Sequence, residues 1–365
     1  MKITELHFDL PDAQIATTPA EPRDAARLMV CNRQTGDVQH VHIRDLPTLG
    51  ILKPGDLMVK NHTRVLRARL EGTRAATGGR IRGLLLHHDA RTWTVLLESG
   101  GRLQPHEHID LGHGSTLLLH QRDADARWTA TLEGDADTLS VLARCGKTPL
   151  PPYILAQRRR GNLPDERPED FDRYNTTFHT DPGFHADPRS VAAPTAGLHL
   201  TAELLNTLTQ QGVQHAGVTL DIGPGTFAPV RTDTLEDHDI HGETLHIPAV
   251  TTAALQATHA AGGRVLAVGT TTVRAIESLP PDHANDANFT THTHLFITPD
   301  RVANGDFTWQ HTDLLLTNFH LPQSTLLALV AALPGVGIKQ LLAWYRIAVN
   351  EGYHFYSFGD AMLVV

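Results

Sequence analysis

Between residues 65 and 148 apolar and polar positions alternate in short runs, whereas outside that window they gather into longer blocks. Strand-like runs recur at 66–70, 80–87, 92–97, 115–121 and 127–132, punctuated by Gly78-Gly79, Gly100-Gly101 and Asp123. Such alternation suits strands with one face on a core and one in water, and its rhythm predicts a small antiparallel barrel or sandwich. On either side the repeating unit changes to strand, polar turn, then helix or reversal. Val218-Thr-Leu-Asp-Ile222 reads as a strand running into Gly223-Pro-Gly225-Thr226-Phe227. Arg264-Val-Leu-Ala-Val268 reads as a buried strand, Gly269-Thr-Thr-Thr272 as its exit loop and 273–278 as a helix. Leu314-Leu-Leu-Thr317 leads into Asn318-Phe-His320-Leu-Pro322, after which Ser324 caps a helix through Leu326, Leu327, Leu329 and Val330. That succession belongs to an α/β body, which begins before residue 60 and resumes near Pro149-Leu-Pro-Pro-Tyr153. Residues 156–187, rich in Arg, Asp and Pro, read as a long irregular loop near the site.

The densest chemistry lies in Ser190-Val-Ala-Ala-Pro-Thr-Ala-Gly-Leu-His199. Ala192, Ala193, Ala196 and Gly197 allow close approach of the backbone, Pro194 stiffens it, and Ser190, Thr195 and His199 offer donors and acceptors. Thr201 is placed to cap a helix with Leu204, Leu205 and Leu208 on one face and Gly212 past its end. Alone, the stretch reads equally as a turn before a capped helix. With the loops at 223–227, 269–272 and 318–322 it points to one composite site, because α/β sheets gather ligands at the carboxyl ends of their strands.

These loops carry a family resemblance. Together with His238-Asp-Ile-His241-Gly-Glu243, Val268-Gly-Thr-Thr-Thr-Val-Arg274, Thr317-Asn-Phe-His-Leu-Pro322 and Phe358-Gly-Asp-Ala-Met362, they resemble the signature blocks of the S-adenosylmethionine:tRNA ribosyltransferase-isomerases of queuosine biosynthesis. Phe8-Asp-Leu-Pro11, Glu21-Pro-Arg-Asp24 with Arg27-Leu28, and Gly55-Asp-Leu57 leading to Asn61-His-Thr-Arg-Val65 extend the likeness to the N-terminal part. It is weakest from about residue 72 to 148. The chain departs from the family pattern at Gln323 and His354, where Arg is usual, at Ile240 for Met, and at Arg82 for Glu. The missing arginines bear on RNA or substrate contacts, not on the main loops. The resemblance implies an α/β (mixed α+β) main domain, residues 1–64 and 149–365, carrying an inserted small antiparallel β-barrel domain at 65–148. It implies transfer and isomerisation of the ribosyl unit of S-adenosylmethionine, as co-substrate, onto 7-aminomethyl-7-deazaguanine at the tRNA wobble position. Adenine and methionine would leave.

That chemistry needs a base near the sulfonium-acidified 5′ protons, and His199, His241, Glu243, Glu277 and His320 are the candidates. His199 ranks first because a helix dipole at its loop disfavours protonation, with His241 and His320 after it. Gly269, Thr270, Thr271, Thr272 and Arg274 are expected on the methionine or ribose hydroxyls, with Asp221 or Glu243 facing the sulfonium. Ser190, Pro194, Thr195, Gly197, Gly225, Thr226 and Asn318 complete the expected substrate-binding set.

Composition changes this picture in three places. The net charge of −9 excludes indiscriminate nucleic-acid binding, so tRNA contact must be local. Arg64, Arg67, Arg69 and Arg74 form one candidate patch and Arg158, Arg159 and Arg160 another, the second reading equally as a solvated loop. The 24 histidines are scattered, so His238-x-x-His241-x-Glu243 and His292-x-His294 are not taken as metal ligands and no metal is expected. No apolar run approaches the roughly 18 residues of a membrane span, and no signal region opens the chain. A cytoplasmic protein without an obligate protein partner is expected, with Cys31 and Cys145 as free thiols. Two other readings stay open, a methyltransferase using the same co-substrate and a non-catalytic RNA-binding module. The first lacks a Gly-x-Gly loop after an early strand, and the second lacks stacking aromatics, which make up only 5% of the chain.

Overall fold

The computed structural model describes residues 1–365 except 135–136, 181–188, 224–231, 239, 241, 282 and 284–286. Its strands, in chain order, are β1 (Arg27–Cys31), β2 (Val38–His42), β3 (Leu57–Asn61), β4 (Arg69–Arg74), β5 (Arg80–Asp89), β6 (Thr92–Ser99), β7 (His108–Gly112), β8 (Ser115–Arg122), β9 (Arg127–Glu133), β10 (Gln214–Leu220), β11 (Glu243–Ile247), β12 (Val265–Val268), β13 (Phe289–Thr293), β14 (Leu314–Asn318) and β15 (Ala361–Val364). The chain divides into two compact units. One comprises Met1–Thr63, Asn175–Ala186 and Pro194–Val365, and the other Arg64–Tyr174 and Asp187–Ala193.

The first unit holds a nine-stranded sheet in the order β13-β11-β10-β3-β12-β14-β15-β1-β2. Its centre is parallel: β10, β3, β12 and β14 all run the same way, while β11 and β15 are antiparallel to their neighbours β10 and β14. Leu57-Met-Val59, Val265-Leu-Ala-Val268 and Leu314-Leu-Leu316 are apolar without alternation because these strands are buried along their whole length. Met58, Leu266, Val268, Leu314, Leu316 and Leu363 pack under Leu200, Leu204 and Leu208. The helix carrying the last two spans Ala202–Gln210, and Thr201 accepts from the Leu204 amide at 3.2 Å as its cap. Ser324 likewise caps the helix Thr325–Ala331.

The second unit is a closed antiparallel barrel, β4-β5-β6-β9-β8-β7, the barrel alternative of the two that the alternation allowed. Inward and outward residues alternate along β8 and β9, and Trp93, Val95, Leu117, Leu119, Trp128, Ala130 and Leu132 fill the interior. The pattern missed β7, a short strand with a register shift before Gly112. It also placed the first barrel strand too early, since ladder pairing begins at Arg69 although Leu66 and Ala68 are already buried. The expected irregular loop at 156–187 is interrupted by the helices Pro152–Arg160 and Asp170–Arg173.

Those helices are tied by charge. Arg158 is 0% exposed and donates from Nη1 and Nη2 to the two carboxylate oxygens of Asp170, at 2.5 and 2.7 Å. Asp170 also accepts the Arg167 amide at 2.7 Å. Stranding one partner of such a pair costs about 3–5 kcal/mol. Arg158→Ala is therefore expected to lower the denaturant midpoint by that order, and Arg158→Ala/Asp170→Leu to recover part of the loss. Equal stability of Arg158→Ala and wild type would show that the pair carries no net stabilisation.

Candidate active site

Parallel β10, β3, β12 and β14 bring their exits to one edge of the sheet, so Asp221, His62, Gly269 and Phe319 begin neighbouring loops. Asn61, the last residue of β3, links them. Its Nδ2 donates to the Leu220 carbonyl at 3.0 Å and lies 3.5 Å from Thr271 Oγ1. Its Oδ1 accepts the amides of Leu220 and Thr63, both at 3.1 Å. Thr63 Oγ1 then donates to Asp221 at 2.8 Å.

After β12 the chain turns at Gly269 with φ +90°, a left-handed value that a side chain would strain. The helix Thr270–Ile276 starts directly there, three residues earlier than the loop reading placed it, so the threonines form its first turn. Thr272 donates its hydroxyl to the Val268 carbonyl at 2.7 Å, while Thr271 Oγ1 faces Asn61 at the end of β3. A Cβ on Gly269 would lie 3.5 Å from Ala196 Cβ, so the segment Pro194, Thr195, Ala196 packs beside this turn. That segment runs into the short 3-10 helix Thr195–His199, anchored where Arg23 Nη1 donates to the carbonyls of Leu198 and Asn175 at 3.2 and 2.9 Å. Gly197 is required by packing, because a Cβ there would meet Phe178 Cζ at 2.8 Å.

His199, at the end of this 3-10 helix, is buried, and its Nε2 lies 3.1 Å from Asn318 Nδ2. Burial pushes its pKa down to about 4; Asp360 opposes the shift and Arg23 adds to it. His320 is also buried, with Nε2 3.0 Å from Thr317 Oγ1 and its amide donating to Tyr345 Oη, and burial alone pushes it down to about 3. His62, against the Phe178 ring at 5.1 Å between centroids, falls to about 3 through burial and then the charge of Lys60. Glu243 receives the Gly223 amide at 3.2 Å and a charge-assisted hydrogen bond from Arg274 Nη1, both carboxylate and guanidinium being buried. Arg274 Nε donates to the Leu295 carbonyl at 3.0 Å. Glu277 is taken up structurally, accepting the amides of Gln310, His311 and Thr312 and the Thr312 hydroxyl.

Not every expected site residue falls in this cluster. Ser190 belongs to the barrel-bearing unit, fully buried, with its hydroxyl donating to the Ala192 carbonyl at 2.7 Å. Gly225, Thr226 and His241 lie outside the described residues. Among the described residues no group of three or more His, Cys, Asp or Glu side chains is arranged to hold a metal. The arginines expected to meet tRNA all lie in the second unit. Arg158 is spent on Asp170, Arg159 on Asp165 at 2.6 Å, and Arg69 is buried with Glu166 at 3.3 Å. Arg67 stacks over Phe171, while Arg64 and Arg160 are exposed.

A sequence profile described as queuosine biosynthesis protein matches residues 3–364. The chain belongs to this family. It is 44% identical over 363 residues to the S-adenosylmethionine:tRNA ribosyltransferase-isomerase of Acidithiobacillus ferrooxidans, covering 99% of this chain and 97% of that one. It is 43% identical to the enzyme of the same name from Gloeobacter violaceus, covering 98% and 94%. Among solved structures it resembles the S-adenosylmethionine tRNA ribosyltransferase of Thermotoga maritima, at 30% identity and a TM-score of 0.53, covering 99% of this chain and all of that one.

Within this queuosine-family fold, sequence reasoning passed over Asn61, Thr63, Phe178 and Asp360 as site residues. Asn61 and Thr63 had the same signal as the chosen loops, an apolar strand giving way to a polar turn. Phe178 had none. Asp360 accepts the amides of Arg27 and His354, both at 2.8 Å. Burial would raise its pKa, but these bonds and the His354 side chain hold it below the usual carboxylate range.

The depressed histidines set a pH dependence. Unfolded, these rings bind protons below about 6.5; folded, His199 does so only near 4 and His320 near 3. The unfolded state therefore holds more protons in that window, and stability is complete above pH 6.5 and falls as pH falls through it. Each ring contributes a slope of up to about 1.4 kcal/mol per pH unit. The urea midpoint is expected to drop steeply from pH 6.5 to 4, and His320→Gln to flatten the drop. A midpoint constant over this range would show that the rings titrate normally.

Proposed function

We infer that this chain is an S-adenosylmethionine:tRNA ribosyltransferase-isomerase, acting on 7-aminomethyl-7-deazaguanine in the wobble position of tRNA and releasing adenine and methionine. The observation that carries this reading is the gathering of the 194–199, 221–223, 269–271 and 318–320 segments at one sheet edge in a chain matched to the family over its full length. Close backbone at Gly197 and Gly269, with the hydroxyls of Thr270 and Thr271, supplies a surface for the ribose and methionine parts of the co-substrate. Asp221 is a carboxylate for the sulfonium charge. Arg274 and Glu243 hold each other, and through the Gly223 amide they fix the start of the segment that carries Gly225 and Thr226. The sulfonium acidifies the 5′ carbon, so a base must take a proton there before carbon–carbon and carbon–nitrogen bonds are remade. That base is drawn from His199, His241, Glu243 and His320. Neutral imidazoles suit a pocket for a cationic sulfonium, since protonated rings would repel it.

The deciding measurement is mass spectrometry after incubation with S-adenosylmethionine and tRNA carrying the aminomethyl-deazaguanine. The nucleoside should gain an epoxycyclopentanediol group, while adenine and methionine appear in equal amounts. A methylated nucleoside with S-adenosylhomocysteine would replace this reading with the methyltransferase.

For tRNA itself, the exposed Arg64 and Arg160 are the phosphate contacts we favour, with Arg67 held ready over Phe171. Loss of one phosphate contact lowers the slope of log affinity against log salt by about 0.7–0.9. Arg64→Ala and Arg160→Ala should each weaken tRNA binding in this way with S-adenosylmethionine affinity unchanged. Unaltered salt slopes would move the RNA contact elsewhere.

A further inference from the structure

The carboxamide of Asn318 is held in one orientation by its surroundings. Its Nδ2 lies 3.1 Å from the Tyr356 carbonyl and 3.4 Å from the Asp360 carbonyl. Both are acceptors, so the end of the amide that meets them must be the NH₂ group; turned about, Oδ1 would face two carbonyl oxygens. The same Nδ2 stands 3.1 Å from His199 Nε2. An amide nitrogen cannot accept a hydrogen bond, so the contact forms only if His199 Nε2 is unprotonated and offers its lone pair. Burial keeps the ring neutral, and a neutral ring with a bare Nε2 carries its one proton on Nδ1. Asn318 Oδ1, by contrast, is buried without a hydrogen-bond partner among the described residues. The orientation is thus kept at the expense of an unsatisfied acceptor, which marks the donor side as the one the fold secures.

We propose that Asn318 is a positioning residue that fixes His199 as the Nδ1–H tautomer, so that His199 meets the substrate as a neutral hydrogen-bond donor and not as the base. Among the described residues Nδ1 has no protein acceptor, so its proton is left for an oxygen acceptor of the bound molecule, a hydroxyl or carboxylate oxygen of S-adenosylmethionine. The lone pair that a base would need is occupied by Asn318. Proton abstraction then falls to another group. The proposal rests on the reading that the 194–199 segment holds S-adenosylmethionine. It extends that reading from which residue touches the substrate to which proton it presents.

Two measurements test it. Nitrogen-15 spectra of histidine-labelled protein, with the His199 signals assigned by their loss in His199→Asn, should give a protonated Nδ1 and a bare Nε2. In Asn318→Asp the carboxylate would accept a hydrogen bond and so favour a proton on Nε2, and the same spectra should invert or show a doubly protonated ring, while the circular dichroism of the fold is unchanged. A protonated Nε2 in the wild type would overturn the proposal. The second measurement compares His199→Asn with His199→Ala. The asparagine amide reaches the position of Nδ1 and restores a donor there, but it supplies no base. Loss of one hydrogen bond to a polar or charged group costs about 5- to 100-fold, whereas loss of a general base costs about 100- to 10,000-fold. His199→Ala should therefore raise the KM for S-adenosylmethionine by about 5- to 100-fold, His199→Asn should recover most of it, and both should still exchange the 5′ protons of S-adenosylmethionine with deuterium. Abolished exchange in both variants would make His199 the base and overturn the proposal. A wild-type tautomer as expected, but with turnover indifferent to His199→Ala, would overturn instead the reading that this segment holds the substrate.

Discussion

β3, β12, β14 and the carboxyl half of β10 are buried, so a polar group where they end is costly to leave without a partner in the protein. That constraint shapes the whole carboxyl edge of the sheet. Asn61 answers it for two strands at once, with its amide nitrogen on the Leu220 carbonyl and its oxygen on the Leu220 and Thr63 amides. Asn318 answers it for the far side by reaching the Tyr356 and Asp360 carbonyls. Thr272 closes β12 back on itself through the Val268 carbonyl. Among the described residues, Thr270, Thr271 and the Nδ1 of His199 are donors at this edge that no protein acceptor takes, as is Nη2 of Arg274. The groups left over after the fold is satisfied are the ones that chemistry can use.

This also explains which parts of the site could be read from the chain. Two helix starts with a side-chain cap were legible because a cap is a local event: Thr201 and Ser324 each accept from the amide three residues on, whereas the start at Thr270, which has no side-chain cap, was placed too late. The barrel was legible because alternation along β8 and β9 reports a half-buried face directly. The sheet-edge loops announced themselves through small and hydroxyl residues after apolar strands. What stayed hidden was decided by distant partners. Nothing near Arg158 in sequence says that Asp170 will bury it, and a run of three arginines reads as a basic surface until that ion pair is known. Likewise Ser190 has the composition of a ligand-binding residue, yet its hydroxyl is consumed two residues on by Ala192. Phe178 matters only because Gly197 lets it approach.

The arginine pairs bear on how an acidic protein engages RNA. A net charge of −9 gives no general attraction for phosphate, and pairing Arg69, Arg158 and Arg159 with carboxylates removes three of the cations that the sequence offered. Those charges serve the inside of their unit: Glu166 accepts from Arg69 and from the amide and hydroxyl of Thr148, tying the barrel edge to the helical segment that follows. A negative net charge, with these arginines paired, favours a local, shape-dependent encounter over sliding along a charged surface.

The field around His199 is set by groups that do not touch it. Asp360 favours its protonation and Arg23 opposes it, and burial outweighs both. Asp360 in turn stands 3.6 Å from His354 Nδ1, at a position where the family usually has Arg. An arginine would neutralise Asp360 at every pH. His354, whose pKa is held above its ordinary value by Asp360 although burial opposes this, does so only while protonated. As pH rises through that value the countercharge is lost and the unshielded Asp360 pulls more strongly for a proton on His199. The pull grows, however, only where solution protons have become scarce and where the ring is already several pH units above its own pKa of about 4. The substitution at His354 therefore leaves the neutral state of His199 intact. The hydrogen bond from Asn318, which acts on the tautomer rather than on the charge, remains the interaction through which this wall of the site governs the ring.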